Sequence, residues 1–189
     1  MIDKALEFTC EVLGRFLRNR LSPDEDKLVL NTIIDPDGTV PKENQNKLVL
    51  TLINIDNETN RPFYVRNEKT ANDQYSNINI SERFNLYILI SANFDDYREG
   101  LKFLNMAILF LQAHTRLDIQ EYPQMPSGLT RLELDIEKIT YHQMHSLWTS
   151  MGAKYQPSVI YKMRLVTIQS GIGTGFTPAI NQSANQVNV

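Results

Sequence analysis

The sequence predicts an α+β (mixed α/β) fold, in which helices pack on a mostly antiparallel sheet. Apolar residues recur at helical spacing in three stretches, apolar or alternating runs typical of strands fill five others, and turn-forming residues lie between them. With 189 residues, 42% of them hydrophobic, and a net charge of −3, the chain can bury a core without disulfides. We therefore expect one globular domain.

The chain opens with a predicted helix over residues 3–20, whose apolar residues share one face. This face contains Leu6, Cys10, Leu13, Phe16 and Leu17. Two β-branched apolar runs follow, at 27–34 and 47–55, and both are typical of strands. Because the turn sequence Asp-Pro-Asp-Gly at 35–38 lies between them, we expect these strands to form an antiparallel pair.

The middle of the chain combines a long polar stretch with two apolar elements. Residues 56–82 have little periodicity, which indicates either a mobile excursion or a segment that orders against a partner. Residues 84–91 are apolar on both faces, as in a central strand. The helix predicted over 95–113 is apolar nearly all round in its second half. In so small a domain, another subunit is a candidate to cover it.

The last third predicts a strand, a helix and a final strand. Residues 130–139 alternate apolar and charged side chains, and 141–151 form a short helix with Trp148 on its inward face. The last predicted strand covers 159–168. We assign 1–169 to the domain and 170–189 to a flexible tail, because the tail is polar and has no core pattern.

Composition excludes several classes of protein. The only cysteine, Cys10, excludes an intramolecular disulfide and fits a reducing compartment such as the cytoplasm. No signal peptide is visible, and no apolar stretch is long enough to span a membrane. The pI near 5.6 argues against a nucleic-acid partner. We therefore expect a cytoplasmic protein that binds neither membrane nor nucleic acid.

One pair of side chains is a candidate for metal-dependent chemistry, namely His142 and His145, at i and i+3 on the short helix. A zinc site needs a third and usually a fourth ligand, and this spacing departs from the H-E-x-x-H pattern. A metal-dependent enzyme stays an open alternative to two solvated histidines. Neither a nucleophile elbow nor a phosphate-binding loop with its lysine is present. We expect no enzymatic activity and no cofactor.

Cations and tyrosines near the last strand indicate a protein interface. A nucleic-acid track is the other interpretation, but three cations are few and the net charge is negative. Apolar side chains in the tail could add a strand to a partner or fill its pockets, although the tail could also be an inert extension. The predicted interface residues are Lys154, Tyr155, Lys162, Arg164, Ile172 and Phe176, with Tyr161 expected close to the cations.

Two long segments resemble a known family. FNLYILISANFDDYREGLKFLNMAILFLQAH (84–114) and LWTSMGAKYQPSVIYKMRLVTI (147–168) are similar to the cap, or tail-terminator, proteins of extracellular contractile injection systems. These phage-tail-like particles include the antifeeding prophage and the Photorhabdus virulence cassettes. The opening helix and the strand KLVLTLINI are similar as well, so the resemblance covers most of residues 1–168.

The resemblance implies a structural role without catalysis. A family member would form a homo-oligomeric ring, a hexamer, on top of the inner tube and the last sheath ring. It would bind the tube protein and the sheath protein, stop their polymerisation and stabilise the particle. Such a ring would assemble in the cytoplasm and then stay in the particle. Another structural component of the same particle, in the baseplate or beside the tube, is the alternative.

Overall fold

The computed structural model describes residues 1–21, 25–58, 67–69, 74–77, 82–168 and 176–178. These residues contain three α-helices: α1 (Ile2–Arg20), α2 (Tyr97–Ala113) and α3 (Tyr141–Ser150). They also contain nine strands: β1 (Leu28–Leu30), β2 (Lys47–Asn57), β3 (Asn67–Lys69), β4 (Gln74–Asn77), β5 (Glu82–Asn93), β6 (Arg116–Asp118), β7 (Arg131–Ile136), β8 (Ser158–Ile168) and β9 (Phe176–Pro178). The chain divides into a larger unit, Met1–Glu58 with Arg83–Thr167, and a smaller one, Thr59–Glu82 with Ile168–Val189.

The larger unit is built on a six-stranded sheet with the order β1-β2-β5-β8-β7-β6. The pairs β2–β5, β6–β7 and β7–β8 are antiparallel, and β1–β2 is parallel. A bulge interrupts the β2–β5 register between Leu52 and Asn54. Such an extra residue bends a strand and increases its twist. The expected α+β fold with a mostly antiparallel sheet is therefore confirmed.

The main core lies between α1, α2 and one face of this sheet. Alternate strand residues point to this face, because side chains on a strand alternate between its two sides. Buried members include Leu13, Leu17, Leu48, Leu50, Leu86, Ile88, Leu111, Leu132 and Met163. Two long helices, α1 and α2, cover this side, so the apolar faces of both predicted helices pack on the sheet.

The second core is smaller and lies on the opposite side of the sheet, under α3. It consists of Ile33, Val49, Leu89, Trp148 and Ile160. Trp148 is the buried residue of α3, with 3% of its surface exposed, as its helical position predicted. Among the described residues, one short helix covers part of this side of the sheet.

Local chemistry fixes where the helices begin. The Asp96 carboxylate accepts a hydrogen bond from the backbone N–H of Arg98 at 2.8 Å and caps α2. Thr140 and Gln143 form a reciprocal capping box at the start of α3. Gly100 lies under Phe94, since a Cβ at this glycine would approach Phe94 Cβ to 3.3 Å. The Asp96 cap and the packing of Gly100 under Phe94 together set the junction between β5 and α2.

The expected antiparallel pairing of the first two strands was wrong. The predicted turn does form, with Gly38 at φ 83°, but β1 runs parallel to β2 with Leu28 opposite Leu48. After the turn a second reversal intervenes, through a 3-10 turn at Lys42–Asn44 and Asn46 at φ 55°. The buried Asn44 side chain donates to the Thr32 carbonyl at 2.8 Å and holds this connection in place.

Other elements differ from the sequence-based expectation. A short strand, β6, lies within the expected loop after α2, and Ile136 is 54% exposed although its alternation predicted an inward position. The polar stretch 56–82 contains β3 and β4, which pair with each other, and β4 pairs with β9. The strand predicted to be last is thus followed by another. The boundary between domain and tail at 169/170 stays a prediction.

Candidate interaction surfaces

The outer side of α2 carries an apolar stripe. Tyr97, Leu101 and Leu109 are 65%, 40% and 48% exposed, and Ile108 beside them is partly buried. Tyr97, Leu101 and Ile108 lie within about 40° of one another around the helix, and Leu109 lies about 80° beyond Leu101, while Phe103, Ala107 and Phe110 fill the core. The helix is therefore apolar on more sides than the described part of the chain covers. We call these four exposed or partly exposed residues the α2 stripe.

A charged surface lies on the uncovered part of the sheet. The side chains concerned alternate with core residues along β6, β7 and β8, so they point away from α1 and α2. Cations and carboxylates are opposite each other in the register: Arg116 with Glu133, Asp118 with Arg131, Glu133 with Arg164, and Asp135 with Lys162. We call these seven residues the charged face.

Contacts within the charged face are specific. Arg164 Nη2 lies 2.7 Å from Asp135 Oδ2, and Arg131 Nε lies 3.4 Å from Asp118 Oδ2. The Lys162 ammonium lies 5.5 Å from the centre of the Tyr87 ring. Because opposite charges neighbour each other across the strands, the surface is a mixed pattern and not a patch of one sign.

One end of the charged face opens into a polar hollow of about 620 Å³. His114, Asp118, Glu121, Glu133 and Asp135 are among its lining residues. The backbone N–H of Gln120, followed by the two neighbouring arginines, lowers the pKa of the Asp118 carboxyl. The carboxylate is charged at neutral pH, as an ordinary aspartate is, and the lowered pKa keeps it charged in more acidic solution as well. The hollow is open and lined by both signs of charge, which suits contact with a polar protein surface.

The predicted interface residues fall into separate places. Lys162 and Arg164 lie on the charged face, whereas Lys154 and Tyr155 precede β8, and the Tyr155 ring packs edge-on against Trp148 at 5.8 Å. Six residues of strand separate Ser158 from Arg164, which corresponds to about 20 Å. Lys154 and Tyr155 thus belong to the approach to β8, and Lys162 and Arg164 to the strand itself. That these residues share one interface stays a prediction.

The remaining residues of the prediction are Tyr161, Ile172 and Phe176. Tyr161, expected beside the cations, is 3% exposed and belongs to the main core, so that expectation was wrong. Strand alternation explains this, because Tyr161 points opposite to Lys162. Ile172 lies outside the described residues. Phe176 opens β9, opposite Ser76 in β4.

Sequence reasoning missed the strand that completes the charged face. Arg116 and Asp118 belong to β6, in a stretch whose Pro and Gly residues indicated a loop. The alternation Arg131, Glu133 and Asp135 did mark the outward side of β7. Their partners could not be found, because pairing between strands is a property of the folded sheet.

The described residues offer no catalytic centre that matches the metal alternative. His142 and His145 are both exposed on α3, and within the described ranges no group of three or more His, Cys, Asp or Glu could hold a metal ion. Burial, with a contribution from Asp26, raises the pKa of the Cys10 thiol to about 11. Cys10 therefore stays protonated at neutral pH and fits its predicted role as a core residue. None of the described helices is long and apolar enough to cross a membrane.

Comparison with known proteins gives a family match and two similar structures. The model of the Pvc16 N-terminal domain family matches residues 9–182. The structure of a PVC sheath/tube terminator in the extended state is similar with a TM-score of 0.66 at 12% identity, over 100% of this chain. The tube-terminating cap of the anti-feeding prophage is similar with a TM-score of 0.61 at 11% identity, over 94% of this chain.

This chain spans less than two thirds of the structures it resembles. It covers 64% of the PVC terminator chain and 59% of the anti-feeding prophage cap chain. At 11–12% identity, these similarities establish the shared fold. No curated protein matches the sequence.

Proposed function

Because the chain belongs to the Pvc16 N-terminal domain family, we propose that it is a cap that terminates the tube and sheath of a contractile injection particle. The observation that carries the proposal is the family match over residues 9–182, and the fold shared with two terminator structures supports it. The cap is a structural component without catalytic activity. It assembles in the cytoplasm and then stays in the particle.

The α2 stripe is the proposed contact between neighbouring subunits of a ring. A closed ring needs a heterologous interface, in which two different surfaces of each subunit meet. Leu109 is 48% exposed, and full burial of a leucine is worth about 1.5–3 kcal/mol, so covering its exposed half contributes about 1 kcal/mol. Leu101 adds a similar amount. The resemblance described above implies six subunits.

The charged face is the proposed contact with the tube or sheath. Mixed charges on a surface select a partner and its orientation more than they add affinity. A matching pattern on the last ring of the particle would accept the cap in one register. Lys162 and Arg164 belong to this face, so two of the predicted interface residues have a role in the proposal. We expect end binding to weaken as salt rises.

The ring proposal predicts that a polar residue in the α2 stripe separates the subunits. Leu109→Gln is the test variant, and Val40→Gln is its control, because Val40 is also 48% exposed but lies in the turn region before β2. Light scattering should give a ring mass for the wild-type protein and the control, and a lower mass for Leu109→Gln. A wild-type monomer at all concentrations would contradict the ring.

The end-binding proposal is tested by exchanging the two charges of one ion pair. The double variant Asp135→Arg with Arg164→Glu keeps a pair at this position but reverses the pattern that a partner meets. The control exchanges the α1 pair, Glu11→Arg with Arg15→Glu, whose members are 2.6 Å apart and exposed. In co-sedimentation with uncapped particles, the first double variant should lose binding and the second should keep it. Equal binding by both would remove the charged face from the proposal.

A further inference from the structure

A groove lies beside the end of α3, on the side of the sheet that carries the second core. Its volume is about 330 Å³, and its lining consists of residues 32–34 after β1, residues 51–53 of β2, and Leu147, Ser150 and Met151. Ile34, Ile53, Leu147 and Met151 are only partly buried, so they present apolar surface there. We call this hollow the α3 groove. None of the side chains that line it is charged.

The α2 stripe has the form of a ligand for such a groove. An apolar groove binds the apolar side of a helix, whose anchoring residues recur at helical spacing. Leu101 follows Tyr97 by four residues, and Ile108 follows Leu101 by seven, so all three anchors point the same way. Because α2 packs on the main-core side of the sheet and the groove lies on the other side, a contact between them joins two copies.

Two cations accompany the α2 stripe. Arg98 follows Tyr97 and Lys102 follows Leu101, so they form a row about 100° further round the helix. Both are exposed, and neither has an ion pair within the part of the chain that the structure describes. Glu99 is the one carboxylate of α2, and it lies only 3.9 Å from the Lys27 ammonium of the same subunit. The outer side of α2 therefore presents two unpaired positive charges beside its apolar anchors.

The rim of the α3 groove carries the opposite charge. Within three residues of the lining positions the chain has three carboxylates and one cation, namely Asp35, Asp37, Asp56 and Lys154. Asp35 adjoins the lining directly. Asp56 is opposite Asn85 in the register and so lies on the same side of the sheet as Leu89, about 10 Å along β2 from the lining. The net charge of the rim thus complements that of α2.

We propose that the α3 groove binds the α2 stripe of a second copy of this chain, with Arg98 and Lys102 facing Asp35 and Asp56. This inference rests on the proposed ring, for which it supplies the second of the two surfaces that a heterologous contact joins. Burial of the apolar side chains provides the attraction, and the charges fix the direction in which the helix lies. The groove shares no residue with the charged face, which stays free for the tube or sheath.

Charge reversal in the full chain tests the contact. The α2 variant is Arg98→Glu with Lys102→Glu, the groove variant is Asp35→Lys with Asp56→Lys, and the combined variant carries all four changes. Light scattering over a concentration series measures the midpoint of assembly. Each double variant places like charges across the contact and should raise this midpoint at least about ten-fold. The combined variant restores opposite charges and should assemble within about three-fold of the wild-type midpoint.

Two control variants separate this contact from an effect of net charge. Lys4→Glu with Arg15→Glu changes the net charge as much as the α2 variant does, but at exposed positions of α1, and should assemble like the wild-type protein. The α2 variant with Glu7→Lys and Glu11→Lys added has the net charge of the combined variant. It should stay dissociated, because the groove keeps its acids. Circular dichroism checks that every variant is folded.

Cross-linking tests the same contact without a change of charge. Leu101→Cys and Ile34→Cys are prepared singly and together, and each protein is treated with a flexible bis-maleimide. Cys10 is poorly reactive, because burial raises the pKa of its thiol to about 11. The chain with both new cysteines should give a ladder of covalent oligomers. Each single variant should give none, because the stripe meets the groove and not another stripe.

The possible failures are distinguishable. A wild-type monomer at all concentrations removes the proposed ring, and this contact with it. A ring that persists in the α2 variant or in the groove variant removes this contact alone. The contact is also overturned if the combined variant is folded but dissociated, or if the chain with both new cysteines gives no ladder while the ring is present.

Discussion

Trp148 links α3 to the sheet, and replacing it tests how the second core is held together. The side chain is 3% exposed and packs with Ile33, Val49, Leu89 and Ile160. It is the buried residue of α3, so Trp148→Ala removes the main contact between this helix and the sheet. The indole N–H is buried and has no hydrogen-bond partner.

The expected changes in unfolding free energy follow from the burial of the Trp148 side chain and from its unpaired N–H group. Removal of a buried Trp to Ala costs about 3–5 kcal/mol of unfolding free energy, which corresponds to a fall in Tm of about 6–20 °C at this chain length. Trp148→Phe loses less apolar area and also removes the unpaired N–H, whose burial costs about 1–3 kcal/mol. The loss of apolar area lowers the unfolding free energy, whereas removal of the unpaired N–H raises it. We therefore expect Trp148→Phe to change stability by less than about 1.5 kcal/mol.

Urea denaturation followed by far-ultraviolet circular dichroism measures both variants without relying on tryptophan fluorescence. If Trp148→Phe costs as much unfolding free energy as Trp148→Ala, the unpaired N–H does not destabilise the wild-type protein. If Trp148→Ala leaves stability unchanged, Trp148 serves an interface and not the fold.

Three further predictions concern single sites. Gly152→Ala should lower stability by about 1–2 kcal/mol, because φ at Gly152 is 69°, a left-handed conformation that alanine adopts only with strain, and the added Cβ meets no atom within 4 Å. Gly14→Ala inside α1 should raise stability by about 0.5–1 kcal/mol, because alanine favours the helix more than glycine does. Thermal melts compare the two variants. The Cys10 thiol should react with a disulfide reagent about 100-fold more slowly in the folded than in the urea-unfolded protein, since burial raises its pKa from 9.0 to about 11; a reaction at equal rates would refute the burial. The double variant His142→Ala with His145→Ala should leave zinc content and end binding unchanged, and a loss of bound zinc by elemental analysis would revive the metal alternative.

Apolar patterning predicted the helices α1, α2 and α3 and the strands β5, β7 and β8. In α1, α3 and β7 the pattern marks one buried face, whereas the continuous apolar run of β5 marks a strand buried on both faces, with Ile88 in the main core and Leu89 in the second. The outward direction of Lys162 and Arg164 follows from the same alternation. The parallel direction of β1 relative to β2 did not follow from the sequence pattern. The turn at 35–38 reverses the chain locally, but Asn44 and Asn46 reverse it again, and their role depends on contacts with Thr32 and Asp95.

The candidate surfaces required residues that are distant in sequence. Ile34 lines the α3 groove together with Met151, which lies far along the chain, and Asp118 faces Arg131 only because β6 pairs with β7. No local pattern records such contacts. The α2 stripe was partly predictable, because a helix that is apolar nearly all round needs more cover than one sheet face provides. Its exposed members can be identified only from the fold, because the fold determines which sides of α2 pack against α1 and the sheet.

The length of particles assembled without this protein tests the central claim most directly. Electron microscopy would measure tube and sheath lengths in particles from cells that lack the gene, with the wild-type protein or the Asp135→Arg, Arg164→Glu variant supplied in trans. The account predicts lengths that scatter widely or particles that fall apart, with uniform length restored by the wild-type protein alone. Uniform particles of normal length in the absence of the protein would contradict the account.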